Sequence, residues 1–153
     1  MPLLATNPKA KFDYHILETY EAGLVLSGQE TKAAKQKKMS LKGAYVIIRG
    51  NEAWLLNATI SPYQTNNVPD DYEPTRTRKL LLHKKEIESL IGKTKQKGLT
   101  LVPLRVYTKH NKIKLEFGLA RGKRQYDKRD TIKERESKRR IQPSERQMYA
   151  EGE

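Results

Sequence analysis

The stretch Ile113-Lys-Leu-Glu-Phe-Gly-Leu-Ala-Arg-Gly122 alternates apolar and polar residues, then runs straight into the cluster Lys123-Arg-Gln-Tyr-Asp-Lys-Arg129. Ile113, Leu115, Phe117 and Leu119 share one face, the two-residue period of a strand with one side in a core. Past Gly122 the apolar supply almost stops: residues 123–153 offer only Tyr126, Ile132, Ile141, Met148, Tyr149 and Ala150. So little apolar surface cannot offset the entropy of ordering, and the sequence predicts a tail that is disordered when free. From Arg121 to Arg140 ten Lys or Arg stand against four Asp or Glu, a charge of +6. A small β-domain that ends in such a tail points to a polyphosphate partner, RNA above all.

Composition sets the same frame. The chain has 153 residues, 36% hydrophobic and 32% charged, with a net charge of +13. That suits one small domain with appendages: a flexible arm over 1–10, a domain over 11–122 and a basic tail over 123–153. The charge favours encounters with nucleic acid or anionic surfaces and does not specify the fold. With no cysteine, disulfides, thiolate nucleophiles and Cys-type zinc sites are excluded, which fits a cytoplasmic home. Met1-Pro-Leu-Leu-Ala-Thr-Asn7 lacks the basic and apolar regions of a signal peptide, and no apolar run reaches membrane-spanning length.

Working back from the last strand, Leu99 to Tyr107 reads as its partner, with Pro103 marking an edge or a bulge, and Lys109-His-Asn-Lys112 as the turn between them. His83 to Lys97 has Ile87, Leu90 and Ile91 at helical spacing, with Gly98 as its stop. Ser61 to Arg78, with Pro62, Pro69 and Pro74, reads as a long surface loop. Ala44 to Ile48 and Glu52 to Ile60 read as a hairpin about Gly50-Asn51, with Trp54 in the core. A short helix is expected after Gly28. Tyr14 to Leu26 reads as a strand pair or one bent strand with a bulge at Gly23. About six antiparallel strands with two or three short helices predict a mainly β fold, a small closed OB-like barrel.

Several residues are candidates for binding. In the tail cluster, the guanidinium forks of Arg124 and Arg129 suit phosphate and Tyr126 suits base stacking; the plainer reading is a solvated tail. Arg76, Arg78 and Lys79 lead into Leu80-Leu-Leu82: the cations are candidates for phosphate, the leucines for core at the start of a helix. Glu21 could accept from a base amino group, though an isolated carboxylate is more often structural. His15, His83 and His110 lack ligand-spaced partners, so no metal site is expected. Asp70-Asp71 lacks the spaced acids of a calcium loop. No nucleophile elbow or phosphate-cradling glycine loop occurs. The residues therefore point to a binder without catalysis or cofactor.

Seven stretches together resemble one family. They are Asn7-x-Lys-Ala, Asp13-Tyr14, Tyr20-Glu-Ala-Gly23, Leu55-Leu-Asn-Ala58 with Ile60-Ser-Pro-Tyr63, Arg76-x-Arg-Lys-Leu-Leu-Leu-His-Lys84, Lys97-Gly-Leu-Thr-Leu-Val-Pro103, and Leu119-Ala-x-Gly-Lys123 with Asp127-Lys-Arg129. In this order, from about residue 7 to residue 136, they resemble SmpB, the SsrA-binding protein family of bacteria. The resemblance implies a monomeric, cytoplasmic, non-enzymatic adaptor. Such an adaptor binds the tRNA-like domain of transfer-messenger RNA (tmRNA) and delivers it to stalled ribosomes for trans-translation. It places Asn7, Glu21, Leu81 and Lys114 against the tRNA-like domain. It places Gly122, Lys123, Asp127, Lys128 and Arg129 on the ribosome, at small-subunit RNA of the decoding centre. There the tail, with its further cations Lys133 and Arg135, turns helical in the empty messenger path. The chain departs from the family pattern at Phe12, Glu30-Thr-Lys-Ala-Ala-Lys35, Thr59 and Tyr126, and Pro143 limits any tail helix. A general ribosome-associated OB module, an RNA-acting enzyme and a membrane-surface protein are the competing readings. The enzyme lacks a base or metal, and the membrane protein lacks an apolar stripe, since Ile132 and Ile141 are isolated among charges.

Overall fold

Three long strands carry the architecture, each eleven residues in the computed structural model, which describes residues 2–64, 68–96 and 98–123. In chain order the described elements are β1 (Leu3–Thr6), α1 (Lys9–Asp13), β2 (Tyr14–Leu24), α2 (Gly28–Lys35), β3 (Met39–Ser40), β4 (Tyr45–Arg49), β5 (Glu52–Leu56), β6 (Thr59–Ile60), β7 (Arg78–Leu81), α3 (Lys84–Thr94), β8 (Leu99–Lys109) and β9 (Lys112–Gly122). The main sheet runs β1-β8-β4-β5-β7-β2-β9, and β8 also pairs with β9. That last pairing closes β8, β4, β5, β7, β2 and β9 into a ring of six antiparallel strands, so these strands pair on both sides. The mainly β class and the closed antiparallel plan match the sequence expectation.

Two-residue turns set the registers. Gly50 and Asn51 have φ of 60° each, and His110 and Asn111 have φ of 51° and 63°. Both pairs join flush strands, Arg49 facing Glu52 and Lys109 facing Lys112, the left-handed geometry that matches the twist of a tight hairpin. Alternation then sorts side chains. On β9, Ile113, Leu115, Phe117 and Leu119 are buried, as their spacing predicts. Leu115 and Phe117 are fully buried, worth about 1.5–3 kcal/mol each relative to exposure. They pack with Ala22, Leu24, Val46, Ala53, Leu55, Leu80, Leu101 and Val106 inside the ring, and α3 adds Leu90. A second small cluster, Ala10, Val102 and Ala120, lies where α1 packs on the sheet.

Several local expectations are corrected. Where described, the expected 1–10 arm is not loose: β1 pairs with β8, Leu4 is buried and Ala10 is 2% exposed. Tyr14 to Leu24 is one strand, and its bulge falls between Ile16 and Glu18 rather than at Gly23. Gly118 faces that bulge; a Cβ there would stand 2.8 Å from Ile16 Cγ2, so the close approach requires glycine. Pro103 does mark a bulge, between Pro103 and Arg105. Trp54 is only half-buried, because the alternation of β5 turns Ala53 and Leu55 inward instead. Leu80 and Leu81 belong to β7, not to the start of a helix; α3 begins at Lys84. The 61–77 loop is pinned where described: the Tyr72 hydroxyl donates to the Ile60 carbonyl at 2.7 Å and Ile60 N–H to the Pro74 carbonyl at 2.9 Å.

Candidate nucleic-acid interface

The outer surface of β7, β2, β9 and β8 gathers most of the expected RNA-facing residues. Inward residues of β2, such as Ala22 and Leu24, leave Glu21 and Gly23 facing out, and Leu80 on β7 likewise leaves Leu81 outward. Gly23 stands in register with Leu81 on one side and Lys114 on the other. A Cβ at Gly23 would lie 3.3 Å from Leu81 Cβ, so the glycine forms a low floor between the two. A groove of about 610 Å³ opens there, lined by Glu21, Gly23, Leu81, His83, Lys112 and Lys114 among others. Leu81 is 55% exposed, an apolar side chain in water at the rim of a charged groove. A ribose or base face suits such a contact.

Glu21 is one of two acids that line the groove, with Glu86, beside Lys112 and Lys114. Its carboxylate accepts a hydrogen bond from the Tyr107 hydroxyl and faces Lys109 Nζ at 3.4 Å. The Tyr107 bond holds its pKa below the usual carboxylate range, against slight burial and with help from Lys109 and Lys114. The reciprocal effect, led by burial and then by Glu21, raises the Tyr107 phenol. An ionised carboxylate accepts only, so it repels phosphate and selects a donor, such as a base amino group or a ribose 2′-hydroxyl.

Asn7 lies apart. Thr6, Arg105, Glu116 and Glu21 follow one another across β1, β8, β9 and β2, so Asn7 lies about 14 Å from Glu21, three strand spacings away. Its amide donates to the Pro103 carbonyl at 2.9 Å and its backbone N–H to the Leu104 carbonyl at 2.9 Å, tying β1 to the β8 bulge.

The Arg76-Thr-Arg-Lys79 stretch divides. Arg78, expected on phosphate, has no exposed surface and is corrected to a structural role. Its Nε reaches Glu30 Oε2 at 2.9 Å, its Nη1 the Ala58 carbonyl at 2.6 Å and its Nη2 the Pro74 carbonyl at 2.9 Å. Glu30 is 2% exposed and also accepts from Arg76 Nη2 at 2.6 Å and from Ser27 N–H at 2.9 Å, the second as half of the capping box that starts α2. Burial pushes Glu30 up, but the bonds from Arg76, Ser27 and Arg78 outweigh it and hold the carboxyl at about 2. Arg76 remains 45% exposed. Lys79 shares the outward face of β7 with Leu81 and pairs with Glu52 at 3.2 Å.

At the end of β9, Gly122 pairs with Tyr14 and is exposed, and Lys123 follows it half-buried. Arg124, Tyr126, Asp127, Lys128, Arg129, Lys133 and Arg135 lie outside the described residues. The sequence reading missed Gly23 as a groove floor, Lys112 in the groove lining, and Tyr107 and Lys109 as neighbours of Glu21. The outward alternation of Arg105, Tyr107 and Lys109 was the available signal. Among the described residues no helix is long and apolar enough to cross a membrane.

Comparison with known proteins identifies this architecture. The family model described as "SmpB protein" matches residues 4–147. The SsrA-binding protein of Trichodesmium erythraeum is 54% identical over 140 residues, 92% of this chain and 90% of that protein. That of Bacillus cytotoxicus is 53% identical over 91% of this chain and 89% of its own length. A chain in the solved structure "tmRNA-SmpB: a journey to the center of the bacterial ribosome" superimposes with a TM-score of 0.67 at 43% identity, covering 86% of this chain and 95% of that one. A match of this extent, over the strands that build the groove and the residues that line it, shows that the chain belongs to the SmpB family.

Proposed function

We propose that this protein is a non-catalytic, cytoplasmic adaptor that binds tmRNA and delivers it to stalled ribosomes for trans-translation. One observation carries this: relatives that are SsrA-binding proteins match at about half identity over nine-tenths of the chain. The groove supports it, with a donor-selecting acid, an exposed leucine and lysines within one span of sheet. In this reading Glu21, Leu81 and Lys114 hold the tRNA-like domain, with Lys79 and Arg76 nearby and Asn7 further along the sheet. The 123–153 segment works separately on the ribosome. Asp127 to Gln142 contains neither Gly nor Pro, and a helix over those sixteen residues would extend about 24 Å. Alone such a helix is marginal; in a phosphate-lined channel its cations gain partners, and folding on binding becomes favourable.

The test uses the purified chain, an RNA carrying the tRNA-like domain, and stalled ribosomes. We expect affinity to fall steeply with salt as lysines and arginines displace counterions. A stop after Gly122 is expected to keep RNA affinity and abolish peptide tagging, and Lys128→Ala with Arg129→Ala to do much of the same damage. A flat salt dependence overturns the RNA reading; normal tagging by the truncated chain overturns the role of the tail.

A further inference from the structure

An exposed glutamate in a chain of net charge +13 has many lysines to turn to, and its side chain spans several rotamers. To select a donor on RNA, its carboxylate must be held with one oxygen outward. Lys109 Nζ at 3.4 Å, with 41% of its side chain exposed, is too long and mobile a contact to fix it. Tyr107 is different. It is 3% exposed although it lies on the outward side of β8, and its hydroxyl reaches across β9 to Glu21 Oε2. The Tyr107 ring is held by its own burial, and the Arg105 guanidinium, paired with Glu116 at 3.0 Å, lies over it at 5.2 Å. Glu116 faces Glu21 directly in register on β2. Unpaired, it would repel Glu21; Arg105 neutralises it.

We infer that Tyr107 is a positioning residue for RNA recognition, its buried ring holding a hydroxyl that orients the Glu21 carboxylate, with the Arg105–Glu116 pair packed over the ring. The inference rests on the proposed contact between Glu21 and tmRNA. A buried phenol loses little entropy on forming such a bond, whereas a lysine loses several rotamers. Glu21 Oε2 is thereby committed to the protein, and Oε1 is left with only the long contact to Lys109 on a side chain that reaches solvent.

The test pairs binding with a direct view of the carboxylate. Tyr107→Phe removes the hydroxyl and keeps the ring under Arg105. We expect it to weaken binding of an RNA carrying the tRNA-like domain by about three- to tenfold, because the freed carboxylate must then give up its rotamers on binding. In a Glu21→Gln background the same change is expected to have no further effect. The carboxyl carbon of Glu21, followed by NMR, is expected to titrate at higher pH in Tyr107→Phe than in the parent chain. The other charged and titratable groups around it are unaltered: Arg105 and Lys109 on β8, Lys114 and Glu116 on β9, and Lys112, His83 and Glu86 in the groove lining. An unmoved titration, unchanged affinity, or losses that add in the double variant overturn the inference. If Glu21→Ala itself leaves RNA affinity intact, the contact it rests on fails first and the inference falls with it.

Discussion

Two glutamates nine residues apart show how one fold uses the same side chain for opposite ends. Glu30 is sealed between α2 and the 61–77 loop, with two arginines, a backbone N–H and almost no water. Glu21 stands on the open outer sheet with one tyrosine and one distant lysine. Both are held ionised, Glu30 by charges that outweigh its burial and Glu21 chiefly by the Tyr107 hydroxyl. The consequences differ because desolvation differs. At Glu30 every acceptor direction is taken, and loss of any partner leaves a buried charge. At Glu21 one oxygen stays on the water side, so a ligand can exchange for solvent at little cost. The first site locks α2 and the loop to the ring; the second is poised for a partner.

The strongest test of this contrast is to remove the buried acid. Glu30→Ala leaves Arg78 without its anion in the interior, and loss of one partner of a buried pair costs about 3–5 kcal/mol. We expect a fall of that size in urea unfolding, with RNA affinity per folded molecule unchanged. A stable variant with weakened RNA binding would exchange the roles of the two sites. Acid titration sharpens the same point. The folded Glu30 carboxyl sits at about 2 against 4.5 for a free one, a depressed pKa. Its contribution is therefore complete above the free value and is lost as pH falls through the folded one. At ~1.4 kcal/mol per pH unit this is on the order of 3 kcal/mol. The stability gap between the parent chain and Glu30→Gln is expected to close between about pH 5 and pH 2.

The contrast also explains what was legible in the sequence. Periodicity carried the ring: the β9 alternation, the bulge at Pro103 and the two tight turns each express a local rule, and each occurs as read. Arg78 was misread because its charge argued for the surface. Only its register opposite Leu55, with Leu80 opposite Ala53, reveals that it points inward. The sequence reading placed a helix after Gly28 but passed over Ser27-Gly-Gln-Glu30, whose spacing is that of a capping box and was the signal available for Glu30. No local rule announced the ion triad, which joins residues 46 and 48 positions apart. For Glu21, the resemblance supplied the residue and the sheet supplied its neighbours. Tyr107 is 86 positions away in the chain, and nothing in the spacing of either residue foretells their contact.

At the open site the expected losses fall on binding instead. Glu21→Ala or Lys114→Ala is expected to weaken affinity for the tRNA-like domain by about 1–3 kcal/mol, the range for a charge-assisted hydrogen bond. Urea midpoints are expected to move little, since both side chains reach solvent. Isothermal titration beside urea unfolding separates the two quantities. A variant that loses stability while keeping its affinity places Glu21 in the same class as Glu30.

The smallest expected effect belongs to Lys79. It sits two residues before Leu81 on the outward face of β7, about 7 Å from it, just beyond the residues that line the groove. Its pairing with Glu52 is between side chains 42% and 44% exposed. Such pairs contribute about 0.2–1 kcal/mol, because water screens them and both chains lose rotamers. Lys79→Gln is therefore expected to leave the urea midpoint almost unmoved, in contrast to any change at its neighbour Arg78. Its effect on RNA binding is a matter of charge. If Lys79 neutralises one phosphate, the slope of log affinity against log salt becomes shallower by about 1, across different RNA sequences alike. Affinity measured over a salt series decides it. An unchanged slope takes Lys79 out of the interface and ends it at Leu81. A large loss of stability would mean that this outward pair, and not the buried triad alone, holds β7 in the ring.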